Sequence, residues 1–284
     1  MVKLDILFDH MRWEEKALYN ACQKKGLEFS LLDAEKLFFD LTAESAPSGI
    51  GDVVLQRSVS HFRGLHASAA LESYGIRVIN SHSTSEVCGN KVLSTLLFKK
   101  HGIPTPKTYM AFTADSALDA LGELGYPAIM KPVVGSWGRL VSLVNDRTSA
   151  KVAIEHREMM FPLYQIYYVQ EMVKRPPRDL RVFVIGEDVP VAIYRVGVTG
   201  DWRTNTARGG KVERCPVTAE VRELALKAAE AAGGGIFGVD MMENDGSLVV
   251  HEINSTVEFK NTVPATGVDI PGMMVEYAIK EATR

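Results

Sequence analysis

Ile236-Phe237-Gly238-Val239-Asp240-Met241-Met242-Glu243-Asn244-Asp245-Gly246-Ser247-Leu248-Val249-Val250-His251-Glu252-Ile253-Asn254 is the stretch from which the rest of the chain is read. Two apolar runs, 236–242 and 248–253, flank Asn244-Asp245-Gly246, whose middle residues suit the positive φ of a hairpin turn. Side chains alternate faces along a strand, so Glu252 and Asn254 point the same way, and a three-residue loop places Asp240 on that face too. Two carboxylates and an amide oxygen converging on an apolar ribbon suit a hard cation such as Mg²⁺, which keeps waters and substrate phosphates as its other ligands. The plainer alternative is a hairpin with solvent-facing acids. Burying carboxylates among apolar residues is costly without compensating positive charge, so the neighbouring motifs decide between the two.

Positive groups of the right kind lie upstream. Lys131 ends the apolar run 126–130 and is followed by Pro132 and the loop Gly135-Ser136-Trp137-Gly138-Arg139. Glycines let backbone N–H groups approach phosphate oxygens, and a strand-end lysine adds a compact charge. Taken singly, such a lysine is a solvated side chain and such a loop a turn. Arg178-Asp179-Leu180-Arg181 opens another strand, and Asn205-Thr206-Ala207-Arg208-Gly209-Gly210 forms a polar loop. Arginine forks suit phosphoryl or carboxylate oxygens, although any one of them alone reads as a surface ion pair. Gly233-Gly234-Gly235-Ile236-Phe237-Gly238 fits G-x-G-x-x-G only formally, because it follows a helix and enters a strand, the reverse of a dinucleotide site. It reads as a helix stop. The P-loop pattern is absent, and the histidines at 61, 66, 82, 101 and 156 lack metal-ligand spacing.

Working outward, strands over 4–8, 27–32, 52–56 and 77–79 alternate with helices over 13–25 and 61–74, the order of a small parallel α/β sheet. Ser83 with Glu86 three residues on predicts a capping box opening a helix towards Cys88. A helix over 91–100 follows, and Pro104 and Pro106 mark a hinge. Beyond it, strands are expected over 128–131, 140–144, 167–173, 180–185 and 189–194, with a helix over 218–232 before the ribbon. The expected division is 1–103, 104–174 and 175–284.

The 284 residues allow two or three lobes around real cores. With 46% hydrophobic and 24% charged residues and a formal net charge of -3, the chain reads as globular and offers no electrostatic reason to expect nucleic acid. Cys22, Cys88 and Cys215 are odd in number and widely spaced, which fits a reducing, cytoplasmic setting. No signal peptide and no membrane-spanning run is read.

The runs KPVVGSWGRL (131–140), RDLRVFVIGE (178–187), NTARGG (205–210) and HEINSTVEFKNTVPATGVDIPG (251–272), with Gln170-Glu171-Met172-Val173, resemble RimK-type ligases of the ATP-grasp superfamily over nearly the whole chain. Within it they look like the branch that joins α-aminoadipate to the carrier protein LysW in lysine biosynthesis. The resemblance implies an N-terminal pre-ATP-grasp domain and two α+β lobes clasping ATP. It implies that Lys91, Lys131, Gly135, Ser136, Trp137, Gly138, Arg139, Gln170, Glu171, Met172, Val173, Asp179, Arg181 and Asn205 surround ATP, and that Asp240, Glu252 and Asn254 hold Mg²⁺. Lys131, Arg181 and Arg208 would act in catalysis. The amino acid would sit by Arg195, Thr206, Ala207, Glu258, Phe259, Lys260, Asn261 and Thr262, with Asn261-Thr262 selecting α-aminoadipate over glutamate. The partner implied is an acidic LysW-type carrier, which Lys174, Arg175 and Arg178 could meet, and the assembly a homodimer or homotetramer. A glutamate-using or dual-specificity ligase, a RimK-like enzyme modifying a protein tail, and a nucleotide-binding module without turnover are the rival readings.

Overall fold

The computed structural model describes residues 2–135, 137–198, 202–204 and 209–283. Strands β1 (Lys3–Phe8), β2 (Glu28–Asp33), β3 (Val53–Gln56) and β4 (Arg77–Ile79) form a parallel sheet in the order β2-β1-β3-β4, linked by helices α1 (Trp13–Lys24) and α2 (His61–Ser73). The consecutive buried residues Val53, Val54 and Leu55 are what a parallel strand covered on both faces requires. Helices α3 (His82–Gly89) and α4 (Lys91–Lys100) follow. The cap of α3 differs from the expected box: Ser81, not Ser83, stands at the N-cap and accepts from the Thr84 N–H at 3.2 Å. Ser83 already lies inside the helix, where its side chain cannot serve as the cap.

The central lobe comprises β5 (Thr108–Ala111), α5 (Ala114–Leu124), β6 (Ala128–Lys131), β7 (Ser142–Val144), α6 (Arg147–Glu158) and β8 (Tyr167–Glu171). Its antiparallel sheet runs β5-β8-β6-β7. Ala128 and Met130 pack beneath α5 and α6, so the alternate residues Ile129 and Lys131 emerge on the opposite face, where both line a cavity.

The third lobe is an antiparallel sheet in the order β11-β10-β9-β12-β13, built from β9 (Arg178–Ile185), β10 (Asp188–Val196), β11 (Lys211–Cys215), β12 (Ile236–Asn244) and β13 (Ser247–Asn254), with helices α7 (Ala219–Ala231), α8 (Thr262–Thr266) and α9 (Ile270–Ala282). Alternation again sorts the side chains. Val182, Val239, Val250 and Ile253 face a core shared with α7 and with Phe98 and Ile103 of the preceding segment. Phe183, Ile185 and Ile236 face the other way, into a core shared with Leu4, Leu55 and Met274. The far end of this second face carries Arg181, Asp240, Glu252 and Asn254.

The ribbon closes on a two-residue turn, since Asn244 pairs with Ser247, rather than on the expected three-residue loop. Asp245 has φ 46° and Gly246 φ 85°, the left-handed pair that such a turn demands. An extra residue, His251, then shifts the register, so that Asp240 pairs with Glu252 and Gly238 with Asn254. One bulge restores the parity that a three-residue loop would have supplied, and the three oxygen-bearing side chains share a face as expected.

Among the described residues no helix is long and apolar enough to cross a membrane. Phe237 is fully buried at the centre of the α7 core. Phe237→Ala should cost about 3–5 kcal/mol of folding stability in denaturant titration; a loss below about 1 kcal/mol would contradict this packing.

Candidate active site

A cavity of about 380 Å³ lies where the three lobes meet. Its wall from the third lobe is set by neighbouring strands: Arg181 on β9 pairs with Asp240 on β12, which pairs with Glu252 on β13. Directly opposed carboxylates repel, so their coexistence requires positive charge. Arg181 supplies it bidentately, Nε and Nη2 each donating to one Asp240 oxygen at 2.8 Å, and Arg195 Nη2 lies 3.1 Å from Asp240 Oδ2. Lys91, from α4, places Nζ 3.0 Å from Glu252 Oε1 and donates to the Gly135 carbonyl at 2.9 Å. Burial opposes ionisation of Asp240, but the two arginines outweigh it and hold the carboxyl well below the ordinary carboxylate range. Burial likewise works against Glu252, and Lys91 together with His251 and Lys131 outweighs it. Asn254 donates to the Gly238 carbonyl at 3.3 Å and to Asp240 at 3.4 Å, which leaves its amide oxygen as an acceptor. Two ionised carboxylates and an amide oxygen on one face of a cleft fit a hard divalent cation.

The opposite wall carries Lys131, which is 8% exposed and donates to Gln170 Oε1 at 2.7 Å. Burial depresses its pKa to about 8, with Glu252 partly offsetting the effect. Gln170 is held by Thr108 and the Tyr168 hydroxyl at 2.9 and 3.1 Å. Glycine-loop residues Gly135, Trp137, Gly138 and Arg139 line the cavity, as do Glu171, Met172 and Val173. The Glu171 carboxylate turns to the Lys107 N–H at 2.8 Å, so it is held by the hinge. Trp137, at φ 58°, donates from its indole to Glu258 at 3.2 Å and is stacked by Arg139.

A second, small cavity is lined by Arg181, Ile193, Arg195, Glu258, Lys260, Asn261 and Thr262. Asp179 faces Arg195 with both oxygens, at 2.7 and 2.8 Å, and also accepts from Thr204. The Arg195 fork is thus closed on protein carboxylates. Phe259 requires a correction: it is fully buried, meets Trp13 edge-on at 5.9 Å and underlies Arg57, and it lines neither cavity. Its apolar ring anchors the segment instead of touching a ligand. Nor are Arg175 and Arg178 spare cations, since Arg175 caps the carbonyls of Pro176, Arg178 and Trp202 while Arg178 pairs with Glu243 through two bonds at 2.8 and 2.9 Å. Ser136, Asn205, Thr206, Ala207 and Arg208 lie outside the described residues.

Several contributors carry no signal in the sequence spacing. Arg12 holds Glu15 and reaches Glu258 at 3.2 Å, while Arg57 donates to the Val257 carbonyl at 3.0 Å. Arg157 is buried and donates to the carbonyls of Lys131, Met130 and Leu140, tying β6 to the far foot of the glycine loop. The bulge turns His251 towards the cavity beside Glu252. Burial and Lys131 depress its pKa to about 4, and neither ring nitrogen has a partner among the described residues.

A parallel-sheet domain backing two antiparallel lobes, with Lys131 on one wall of the cleft and a carboxylate ribbon on the other, is the arrangement of an ATP-grasp ligase. Residues 4–87 match the LysX preATP-grasp domain and residues 88–278 the RimK-like ATP-grasp domain. The α-aminoadipate–LysW ligase LysX of Saccharolobus solfataricus is 40% identical over 94% of this chain and 97% of its own. The glutamate–LysW ligase ArgX of Sulfolobus acidocaldarius is 36% identical over 97% and 98%. Among solved structures, a RimK domain ATP-grasp protein from Sphaerobacter thermophilus superposes with a TM-score of 0.79 at 23% identity, covering 98% of this chain and 99% of that one. The ATP-grasp ligase PsnB, solved with a minimal precursor, Mg and ADP, gives 0.74 at 19%, covering 98% and 97%. The chain belongs to the RimK-like ATP-grasp family and is an ATP-dependent carboxylate–amine ligase.

Lys131 gives the site a pH dependence. Unfolded, this lysine keeps its proton to near 10.5, whereas the folded chain releases it near 8. Below 8 both states are protonated; between the two values the unfolded chain binds more protons, so this group makes stability rise with pH. The positive charge on this wall of the cavity is lost over the same interval. ATP affinity, measured by calorimetry, should therefore fall as pH rises through about 8, and Lys131→Met should abolish that step. An affinity independent of pH across this value would contradict the assignment.

Proposed function

We propose that the chain joins the α-amino group of α-aminoadipate to the C-terminal glutamate carboxylate of an acidic LysW-type carrier protein through an acyl-phosphate. The observation that carries the chemistry is the Asp240–Glu252 pair, neutralised by Arg181 and Lys91 across from Lys131. Asp240, Glu252 and the Asn254 amide oxygen would hold Mg²⁺, which when bound neutralises the terminal phosphates of ATP. Arg181 and Lys91 then have phosphate oxygens as alternative partners. Lys131, fixed by Gln170, presents its ammonium from the opposite wall. The carrier carboxylate displaces ADP from the γ-phosphorus. The amine then attacks the acyl carbon, phosphate leaves, and the nitrogen loses its proton. Positioning and fixed charge supply the catalysis, with no covalent bond to the protein. Arg208 is assigned to the tetrahedral oxyanion and Asn205 to the nucleotide on motif alone.

Support for the acceptor comes from the second cavity, where Lys260, Asn261 and Thr262 adjoin Arg181 and Glu258. This mixture of charges matches a dicarboxylic amino acid, whose ammonium seeks a carboxylate and whose carboxylates seek cations. A bulkier pair than Asn261-Thr262 would narrow this small cavity further. A shorter homologue, glutamate, differs by one methylene, which in an apolar pocket discriminates by only about 1–3 kcal/mol. Three unpaired cysteines, Cys22, Cys88 and Cys215, agree with a cytoplasmic setting.

The test is carrier-dependent ADP release with each amino acid. α-Aminoadipate should give a kcat/KM about 10-fold or more above glutamate, and Asn261→Gly with Thr262→Phe should reverse the preference. Equal values for the two amino acids would overturn the acceptor assignment. Absence of ADP release with either, despite ATP binding, would overturn the ligation itself.

A further inference from the structure

Two side chains of the parallel-sheet domain reach past the cavity into the base of the ribbon. Asn80, which follows β4 and is 3% exposed, donates from Nδ2 to the Ile236 carbonyl at 2.6 Å and to the Ser255 carbonyl at 2.8 Å. Its Oδ1 accepts from the Ile236 N–H at 2.8 Å. Thr84, a turn further on, donates to the Ala232 carbonyl at 2.9 Å. Ile236 opens β12 and Ser255 directly follows Asn254, so a single amide spans both strands at the open end of the ribbon. The last ladder pair before this end is Gly238 with Asn254. A Cβ at Gly235 would lie 2.0 Å from Asn80 Oδ1, which makes this glycine the space that the amide occupies. The glycine run is therefore more than a helix stop.

The Asn254 side chain is weakly fixed by its own bonds, which are long at 3.3 and 3.4 Å. Its backbone is held by the last ladder pair, with Gly238, and the residue just beyond it, Ser255, is held by Asn80. Past Asn254, β13 has no ladder partner, whereas β12 remains paired to β9 through Ile236, so Asn80 ties the unpaired strand end to the paired one. We propose that Asn80 is a positioning residue of the ligation reaction: it sets the separation of β12 and β13 at the end where Asn254 completes the metal ligand set, so that the parallel-sheet domain fixes the geometry of the metal site. This rests on the assignment of Asp240, Glu252 and Asn254 to Mg²⁺. A merely structural tie would affect how much protein folds; a positioning tie changes how tightly the folded protein holds the cation.

Two readouts separate these. Asn80→Asp keeps the shape of the side chain but replaces both donated bonds by oxygen lone pairs facing carbonyls. It should raise the half-saturating Mg²⁺ concentration about 10-fold, within the range seen when outer partners of metal ligands are lost, while the KM for the amino acid stays within about twofold. Mn²⁺ binding to the protein–ADP complex, followed by electron paramagnetic resonance, should weaken by the same factor without any turnover. Gly235→Ala displaces the amide from the opposite side and carries the test where Asn80→Asp does not fold. The double variant should be no weaker for Mn²⁺ than the worse single one, because both remove one interaction. Asp240→Asn and Glu252→Gln serve as benchmarks. If they leave Mn²⁺ affinity unchanged, the metal assignment itself fails. If they weaken it while Asn80→Asp and Gly235→Ala do not, the positioning role of Asn80 is overturned.

Discussion

Two carboxylates placed side by side in a closed cleft are the constraint around which this chain is arranged. Asp240 is 1% exposed and stands in register with Glu252, a position in which like charges destabilise a sheet. The fold answers with cations from three directions: Arg181 from the adjacent strand, Arg195 from the strand beyond it, and Lys91 from α4. These ion pairs are weak evidence for stability, since apolar residues would fill the same space at less electrostatic cost. What they do is hold both acids ionised.

The rest of the architecture serves that geometry. Period-two alternation in β9, β12 and β13 sends one set of side chains into the α7 core and the other towards the cleft, so the same strands build the core and the site. The bulge at His251 corrects the register at the one point where a two-residue turn would have sent Glu252 to the wrong face. The parallel-sheet domain contributes more than a wall. Arg12 and Arg57 grip the segment 257–258, and Glu14 accepts from the Lys260 N–H at 3.2 Å, so the stretch leading to the second cavity is held from the parallel-sheet domain. In the central lobe, Arg157 does the same for Lys131 and the glycine loop through backbone carbonyls.

What was legible in the sequence follows from how far each signal reaches. Alternation and turn chemistry are local, and they place Asp240, Glu252 and Asn254 on one face even though the turn has two residues where three are expected. A two-residue turn plus a bulge and a three-residue loop have the same parity, and parity alone decides the face. Lys131 and Arg181 are legible only in combination with the motifs around them, because either charge alone reads as a solvated side chain or a surface ion pair. The cap of α3 falls at Ser81, two residues before the serine of the capping-box pattern, since the two serines are chemically equal and only the backbone decides between them. Phe259 enters the expected contact set only through the resemblance of its segment, yet its ring belongs to the core of Leu4, Leu55 and Met274 and meets Trp13, 246 positions away. Asn80, Arg12 and Arg57 were invisible for the same reason: their partners lie 156, 246 and 200 residues along the chain. No spacing rule spans such distances.

The most direct measurement is a crystal structure of the chain with Mg²⁺ and a non-hydrolysable ATP analogue. The account predicts a cation bound by Asp240, Glu252 and Asn254 and bridging the terminal phosphates, with the Arg181 guanidinium moved from the Asp240 carboxylate to a phosphate oxygen. A cation bound elsewhere, with the two 2.8 Å bonds between Arg181 and Asp240 intact, would contradict it.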